Sequence, residues 1–305
     1  MLTKLLPVTS TKQSVASLKL TISMVVFGSI ALFAEMTNLP SFELVFIRCL
    51  SATLFLGSCW LISGQYRNEE WNSKEVLQTL ACGIFLVFNW GFIFKSFETT
   101  SITVAISVYN LAPVLMLLLG SIFYREKLKI KSVFSILLCF LGTVFISDID
   151  FSAPFKELLP VGVLWALAGA LFNAFMTLLG KGITKLSPYA TTFLQTGLGI
   201  MIIFPFIQMG AFSTLTFGNW TAAIATGIIH TGITFLLFFD SLRFLSTKVI
   251  SILVFLNPAI AILLDTIIIG FRPNLIQTMG IILIFSGIAL TLIKSKKGIE
   301  QKSNL

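Results

Sequence analysis

The sequence predicts an all-α membrane protein, with ten transmembrane helices arranged as two inverted five-helix repeats. Three observations carry that expectation. Ionisable side chains are scarce, they cluster at membrane-spanning intervals, and the second half of the chain repeats the first at a fixed offset. Of 305 residues, 56% are apolar and 11% are charged, and the mean hydropathy is +0.96. A soluble domain carries roughly a quarter of its residues as Asp, Glu, Lys or Arg. Less than half that share leaves too little polar surface to cover a core in water. The apolar gaps between charge clusters run to about the 20 residues that a helix needs to cross a bilayer.

The gaps define the elements in order. The first, 18–37, follows Lys4, Lys12 and Lys19 and so has the outline of a signal peptide. No small-residue cleavage site follows it and nine more spans do, so it reads as a retained helix. Pro40 separates it from the second span, 42–63, because proline cannot continue a preceding helix. Spans three to five occupy 76–95, 101–123 and 130–148; spans six to ten occupy 159–180, 188–208, 218–240, 247–269 and 273–294. Most lack the period-two alternation of barrel strands, which leaves helices.

The net charge of +8 does not mark a nucleic-acid partner, because of where it sits. With the N-terminus inside, the inner segments hold seventeen Lys and Arg, including Arg67, Arg125, Lys127, Lys181, Arg243 and Lys294. The outer segments and helix ends hold only Arg48, Lys95, Lys156 and Arg272. That asymmetry is the positive-inside bias that orients membrane proteins. It places a cytoplasmic N-terminal segment at 1–17 and a cytoplasmic tail at 295–305. Cys49, Cys59, Cys82 and Cys139 all fall inside spans, where free thiols act as small apolar groups. Their spacing fits neither a disulfide framework nor a metal site, and no cofactor is implied.

Sliding residues 96–146 onto 241–291 without a gap, an offset of 145, aligns the positions that punctuate helices. Ser96 meets Ser241, Ser101 meets Ser246, Pro113 meets Pro258 and Gly142 meets Gly287, with Ile136, Leu138 and Phe140 meeting Ile281, Leu283 and Phe285. The repeats therefore span 18–148 and 159–294. Five spans per repeat is odd, so the second copy crosses the membrane in the opposite sense. Such inverted repeats recur in secondary transporters, whose sites lie near the midplane between the halves.

With Phe46-Ile-Arg48 opening span two, Asn110-Leu-Ala-Pro113 followed by Tyr124-Arg-Glu126-Lys-Leu128, His230-Thr-Gly232 in span eight and Phe255-Leu-Asn-Pro258 through Asp265 in span nine, the chain resembles the drug/metabolite transporter superfamily, specifically its EamA-type ten-helix branch. The resemblance covers about 18 to 294. It implies a transporter in a bacterial plasma membrane, for a substrate that ranges within that branch over amino acids, amines, nucleotide derivatives and drugs. Two positions depart from the pattern. Phe271 stands where the acid matching Glu126 is expected, and Ile30 where the first helix often has Asn.

Polar side chains at membrane depth are costly and usually face a bundle interior or a wet cavity. Span eight carries Thr226, His230 and Thr234 at four-residue spacing on one face, and span nine carries Asn257 and Asp265 in the same rhythm. Span four offers Ser107, Tyr109 and Asn110, span six Asn173 and Thr177, span one Gly28 and Glu35. These stripes are expected to line a central substrate path. A neutral His230 there can accept a substrate proton or donate a hydrogen bond; its bland alternative is a helix–helix bond. Pro113 and Pro258 each remove a backbone bond in mid-span and offer hinges, or static kinks. Asp265 and Glu35 are candidate carboxylates for a cation or a proton, and Glu35 can equally reach the outer interface. Arg48, Glu43 and Lys95 are candidates for an outer ion-pair gate, with structural pairing as the rival. Trp90, Tyr109 and Phe235 can stack on an aromatic substrate or simply pack. Glu126, among basic neighbours, is expected to fix its loop.

The reading that unites these features is secondary transport of a small polar metabolite, an amino acid or amine, by alternating access. Export coupled to protons leads, ahead of uptake by exchange or drug efflux. The implied partners are a small-molecule substrate, the lipid bilayer and a proton. No Gly-rich lysine loop for ATP is present. An intramembrane enzyme would need a nucleophile–base pair or a metal set, which one histidine does not supply. Loops of four to about fourteen residues leave little surface for a receptor or assembly subunit.

Overall fold

The computed structural model describes residues 8–99, 102–146, 161–270 and 272–292. All regular secondary structure among them is helical. The elements are α1 (Val8–Gly28), α2 (Ile30–Thr37), α3 (Ser41–Ile62), α4 (Ser73–Thr99), α5 (Ile102–Tyr109), α6 (Ala112–Phe123) and α7 (Ile130–Ile146). After residues 147–160 come α8 (Val161–Gly182), α9 (Pro188–Ile203), α10 (Phe217–Ala225), α11 (Thr234–Leu242), α12 (Thr247–Val254), α13 (Leu256–Leu264) and α14 (Leu275–Leu292). Two π-helical segments intervene, Thr226–Ile233 between α10 and α11, and Asp265–Ile269 after α13.

Local chemistry sets the ends. Asn38, in the left-handed region at φ 52°, closes α2, and Gly64, at φ 68°, turns the chain after α3. The Ser187 hydroxyl accepts from the Ala190 N–H at 3.1 Å and Pro188 opens α9, both ordinary devices for starting a helix. At α10 the Thr216 and Asn219 side chains cap each other's backbone reciprocally. α1 begins at Val8, ten residues ahead of the expected span. Nothing between Val8 and Lys19 is Pro or Gly, so the helix runs beyond its apolar part.

Among the described residues, six helical stretches are long and apolar enough to cross a membrane: Ser41–Ile62, Ser73–Ile93, Val161–Gly182, Pro188–Phe206, Phe217–Leu242 and Thr247–Ile268. Ala112–Phe123, Ile130–Ile146 and Leu275–Leu290 are shorter apolar helices. The outer surface carries Leu54, Leu77, Ile122, Leu164, Met201 and Ile276, all exposed, while Ser23, Asn89, Thr177, Thr196 and His230 are buried. Apolar outside and polar inside is the reverse of a protein built for water, and it suits a lipid solvent. The protein is a multi-pass membrane protein.

α4 packs along α8, α1 along α11, α3 along α9, α6 against α12 and α7 along α14. The last pair approaches closely because glycines face each other. A Cβ on Gly142 would lie 2.6 Å from the Gly280 carbonyl oxygen, and one on Gly287 would lie 2.7 Å from that of Ser135. Small residues of this kind let membrane helices meet backbone to backbone.

At one end of the bundle, carboxylates hold the turns. Glu75 accepts from the backbone N–H groups of Thr184, Lys185 and Leu186 at 2.8–3.1 Å, and Glu69 accepts from Ser187. Arg243 donates to the Leu186 carbonyl from the opposite side. The Glu126 carboxylate accepts from the Thr247 N–H at 2.9 Å and lies 3.6 Å from the Lys181 ammonium. Glu126, expected to fix its own loop, instead finds its partners at the entry to α12 and at Lys181.

A central cavity between the two halves of the chain

Residues of nine helices, α1 to α5, α8 and α11 to α13, line a cavity of about 220 Å³. Its polar wall comprises Arg48, Asn89, Tyr109, Asn173, Thr177 and Asn257, and its apolar wall includes Met24, Phe27, Leu86, Trp90, Phe235 and Phe238. Arg48, Asn89 and Asn173 fall well inside α3, α4 and α8, while Tyr109 ends α5 and Asn257 stands in the first turn of α13, each beside a helix break. Both halves of the chain contribute.

The amide and phenol groups form one connected set. The Asn89 Nδ2 donates to the Tyr109 hydroxyl at 3.0 Å and to the Gly169 carbonyl at 2.8 Å. Asn173 Nδ2 also donates to the Tyr109 hydroxyl, and Thr177 Oγ1 donates to Asn173 Oδ1 at 3.5 Å. Mutual hydrogen bonding is what makes burial of such groups tolerable. It also holds α4, α5 and α8 in register around the cavity. Asn257 contributes its amide without any protein partner among the described residues. The approach of α1 is set here too, since a Cβ on Gly28 would lie 2.8 Å from Ile260 Cγ2 and 3.1 Å from the Asn257 carbonyl.

Arg48 is 7% exposed, and that exposure faces the cavity. Its Nε donates to Thr231 Oγ1 at 3.1 Å, and the guanidinium carbon lies 5.3 Å from the centre of the Trp90 ring. A buried cation is normally matched by an anion. Among the described residues, the ion pairs are Lys19–Asp240 and Lys181–Glu126, and no carboxylate lines the cavity. Gly227 makes room for this arrangement, because a Cβ there would lie 2.6 Å from Ser51 Cβ and 3.0 Å from the Arg48 carbonyl.

The residues singled out from the sequence divide into several groups. Arg48, Tyr109, Asn173, Thr177, Asn257 and Phe235 meet at the cavity. Thr226, His230 and Thr234 are buried but stand off its wall. Thr226 and Thr234 turn their hydroxyls back onto the carbonyls of Ala222 and Ile229, each at 2.7 Å. His230 Nε2 lies 3.0 Å from the Ser29 hydroxyl, its ring lies 4.8 Å from that of Phe33, and its Nδ1 is buried without a partner. The three stay on one buried face, and the π-helical segment that carries most of it packs mainly against α3 rather than lining the cavity. Asn110 Nδ2 is buried and unpartnered, off the wall. Asp265 and the exposed Glu35 are near enough to repel each other, away from the cavity.

Glu43 does not pair with Arg48; its carboxylate accepts from the Gln208 N–H at 2.7 Å, and Lys95 is exposed. The side chain of Ser107, together with Ser101, Lys156 and Phe271, lies outside the described residues. Pro113 stands in the first turn of α6 and Pro258 in that of α13, each just after a break, at Asn110–Leu111 and at Phe255. Proline cannot donate to the carbonyl one turn earlier, so each break falls where the ladder is interrupted. Asn89 and Trp90 complete the site. Asn89 was legible by the rule that picked out Asn110, an amide inside an apolar span. Ile30, the departure in the first helix, lines the cavity as well.

Comparison with known proteins agrees with this architecture. A solved structure superposes with a TM-score of 0.77 at 19% identity, covering 91% of this chain and 97% of its own, a likeness of fold. An uncharacterized transporter of Bacillus subtilis, YxxF, is 66% identical over 287 residues, spanning 94% of this chain and 92% of that protein. An uncharacterized transporter of Archaeoglobus fulgidus is 23% identical over 270 residues, or 88% of this chain and 93% of that one. The model of the EamA-like transporter family matches twice, at residues 15–148 and 160–293. With both halves matched and a central cavity between them, this chain is a transporter that belongs to the EamA-like family.

Proposed function

We propose that the protein is a secondary transporter that moves a small polar metabolite, an amino acid in the first instance, by alternating access around the central cavity. The cavity is the observation that carries this reading: both halves build it, and its wall combines a cation, amides and aromatic faces. Its volume of about 220 Å³ lies below the roughly 300–1,000 Å³ of sites for drug-sized ligands. That favours a metabolite over bulky drugs.

In this reading the chain crosses a bacterial plasma membrane ten times, as two inverted five-helix repeats with both termini cytoplasmic. The helix pairing supports it. α4 against α8 mirrors α11 against α1, while α3–α9, α6–α12 and α7–α14 pair each repeat with its own counterpart. The glycine contacts agree: Gly142 meets Gly280, and the positions 145 residues away, Gly287 and Ser135, meet in turn. Cys139 Sγ lies 3.5 Å from the Ile284 carbonyl, again 145 residues apart, as expected beside a two-fold axis. Pro113 and Pro258 are the hinges, acting at the breaks just before them. His230, bonded to Ser29 across α1, and Asp265 are the groups proposed to respond to protons, with export the leading direction and exchange the rival.

Purified protein in liposomes is the test, with uptake of a pooled, labelled mixture of amino acids and nucleoside metabolites measured with and without a pH gradient. Gradient-dependent flux that collapses in His230→Ala and Asp265→Asn supports proton-coupled transport. Flux indifferent to the gradient and to both variants removes proton coupling and keeps the carrier. Absence of flux for every compound in the pool overturns the assignment of amino acids and of those metabolites.

A further inference from the structure

We infer that the substrate carries a carboxylate, and that Arg48 is the residue that binds it. The inference rests on the transporter reading for its biological setting and on Arg48 itself for its chemistry.

Arg48 sits in the middle third of α3 with a permanent positive charge and no counter-ion among the described residues. Removing such a charge from water is costly at the depth of a membrane helix. Its contacts with the protein are one neutral hydroxyl, Thr231, and one aromatic face, Trp90. Both stabilise a cation without neutralising it. An unpaired charge is therefore held at the wall of a cavity that has room for an anion.

The donor geometry narrows the anion. Nε is committed to Thr231, which removes the side-on pair of N–H groups. The two terminal nitrogens remain and have no protein partner among the described residues. Two parallel donors at the end of a guanidinium match the two oxygens of a carboxylate. A phosphate dianion would bring a second charge, and no other cation lines the cavity to meet it. The rest of the wall is uncharged, part amide and hydroxyl and part apolar. Asn257 and Asn173 present amides able to donate and accept, so hydroxyl, keto or amino groups on the same small molecule find partners. A cationic amine without a carboxylate would meet only the like charge of Arg48.

Trp90 provides a direct readout, because a ligand seated on the guanidinium perturbs the ring 5.3 Å away. Tryptophan emission of the solubilised full-length protein is titrated at constant ionic strength with acetate, lactate and alanine. Each is set beside its amide, which lacks the carboxylate charge, with methylamine and inorganic phosphate as comparators. The expected result is a saturable change with at least one carboxylate, absent with its amide and with methylamine, and lost in Trp90→Phe. Arg48→Gln should weaken binding by roughly tenfold to a hundredfold, the loss of a charged hydrogen-bonded contact. Should Arg48→Gln fail to fold, Arg48→Lys keeps the charge and loses the fork, and binding should still weaken several-fold.

Equal binding of acid and amide, saturation by phosphate alone, or no response to any of the three carboxylates overturns the inference. The wild-type comparison decides it without any variant. Flux in liposomes reads the transporter assignment separately. Carboxylate binding without flux keeps the inference and removes the assignment, whereas flux confined to neutral or cationic compounds does the opposite.

Discussion

Gly142 lies where α7 and α14 touch backbone to backbone, and a single methyl group there measures how tightly the two helices are joined. A Cβ on Gly142 would fall 2.6 Å from the Gly280 carbonyl oxygen, 2.9 Å from Ile284 Cγ1 and 3.1 Å from the Ile284 nitrogen. Two of these atoms are backbone and cannot swing aside. Bringing the 2.6 Å contact out to an ordinary 3.4 Å requires the helices to part by most of an ångström, and the contacts along their length part with them. Overpacking of this kind costs about 1–3 kcal/mol. Against it stands the intrinsic preference for Ala over Gly in a helix, up to about 1 kcal/mol. Gly197, inside α9, isolates that second effect, since a Cβ there meets nothing within 4 Å. Gly142→Ala should therefore be less stable than Gly197→Ala by roughly 1–3 kcal/mol. Gly287→Ala should match it, because its Cβ would fall 2.5 Å from Cys139 Sγ and 2.7 Å from the Ser135 carbonyl. Thermal unfolding in mild detergent, followed by tryptophan fluorescence, ranks the three. Equal melting temperatures for Gly142→Ala and Gly197→Ala would refute the close α7–α14 contact.

Three further outcomes follow from the same geometry. Glu126→Gln keeps the shape but removes the charge that receives the Thr247 N–H and faces Lys181; a loss of about 1–2 kcal/mol is expected by unfolding, and wild-type stability would show that the contact is idle. Tyr109→Phe deletes the hydroxyl that joins Asn89 and Asn173, which should lower stability by about 1 kcal/mol and weaken binding of any cavity ligand, read by titration beside a melting curve; unchanged affinity would place the ligand elsewhere. Lys19 and Asp240 pair at 2.5 Å with side chains 37% and 22% exposed, so a double-mutant cycle of Lys19→Ala and Asp240→Ala should give a coupling of only about 0–1 kcal/mol, and a value several times larger would mean the pair is shielded by lipid rather than water.

The sequence by itself determined the lipid solvent, the helical class and the likeness of the two halves, because each rests on one-dimensional signals. Lipid selects long apolar runs, topology follows the placement of Lys and Arg, and proline interrupts the hydrogen-bond ladder of a helix. Pro113 and Pro258 could thus be assigned to breaks before any contact was known. Which polar residues meet was decided by the tertiary structure. Helical periodicity shows which residues share a face but not what that face opposes. Glu43 and Arg48 are five residues apart on one helix, yet Glu43 turns to the Gln208 backbone while Arg48 turns to Thr231, Trp90 and the cavity. Asn89 gained its role from a carbonyl at Gly169 and a phenol at Tyr109, two partners brought to it by other helices. A hydrogen bond between helices depends on their rotation and separation, and those are set by how all the side chains pack together, glycine contacts included.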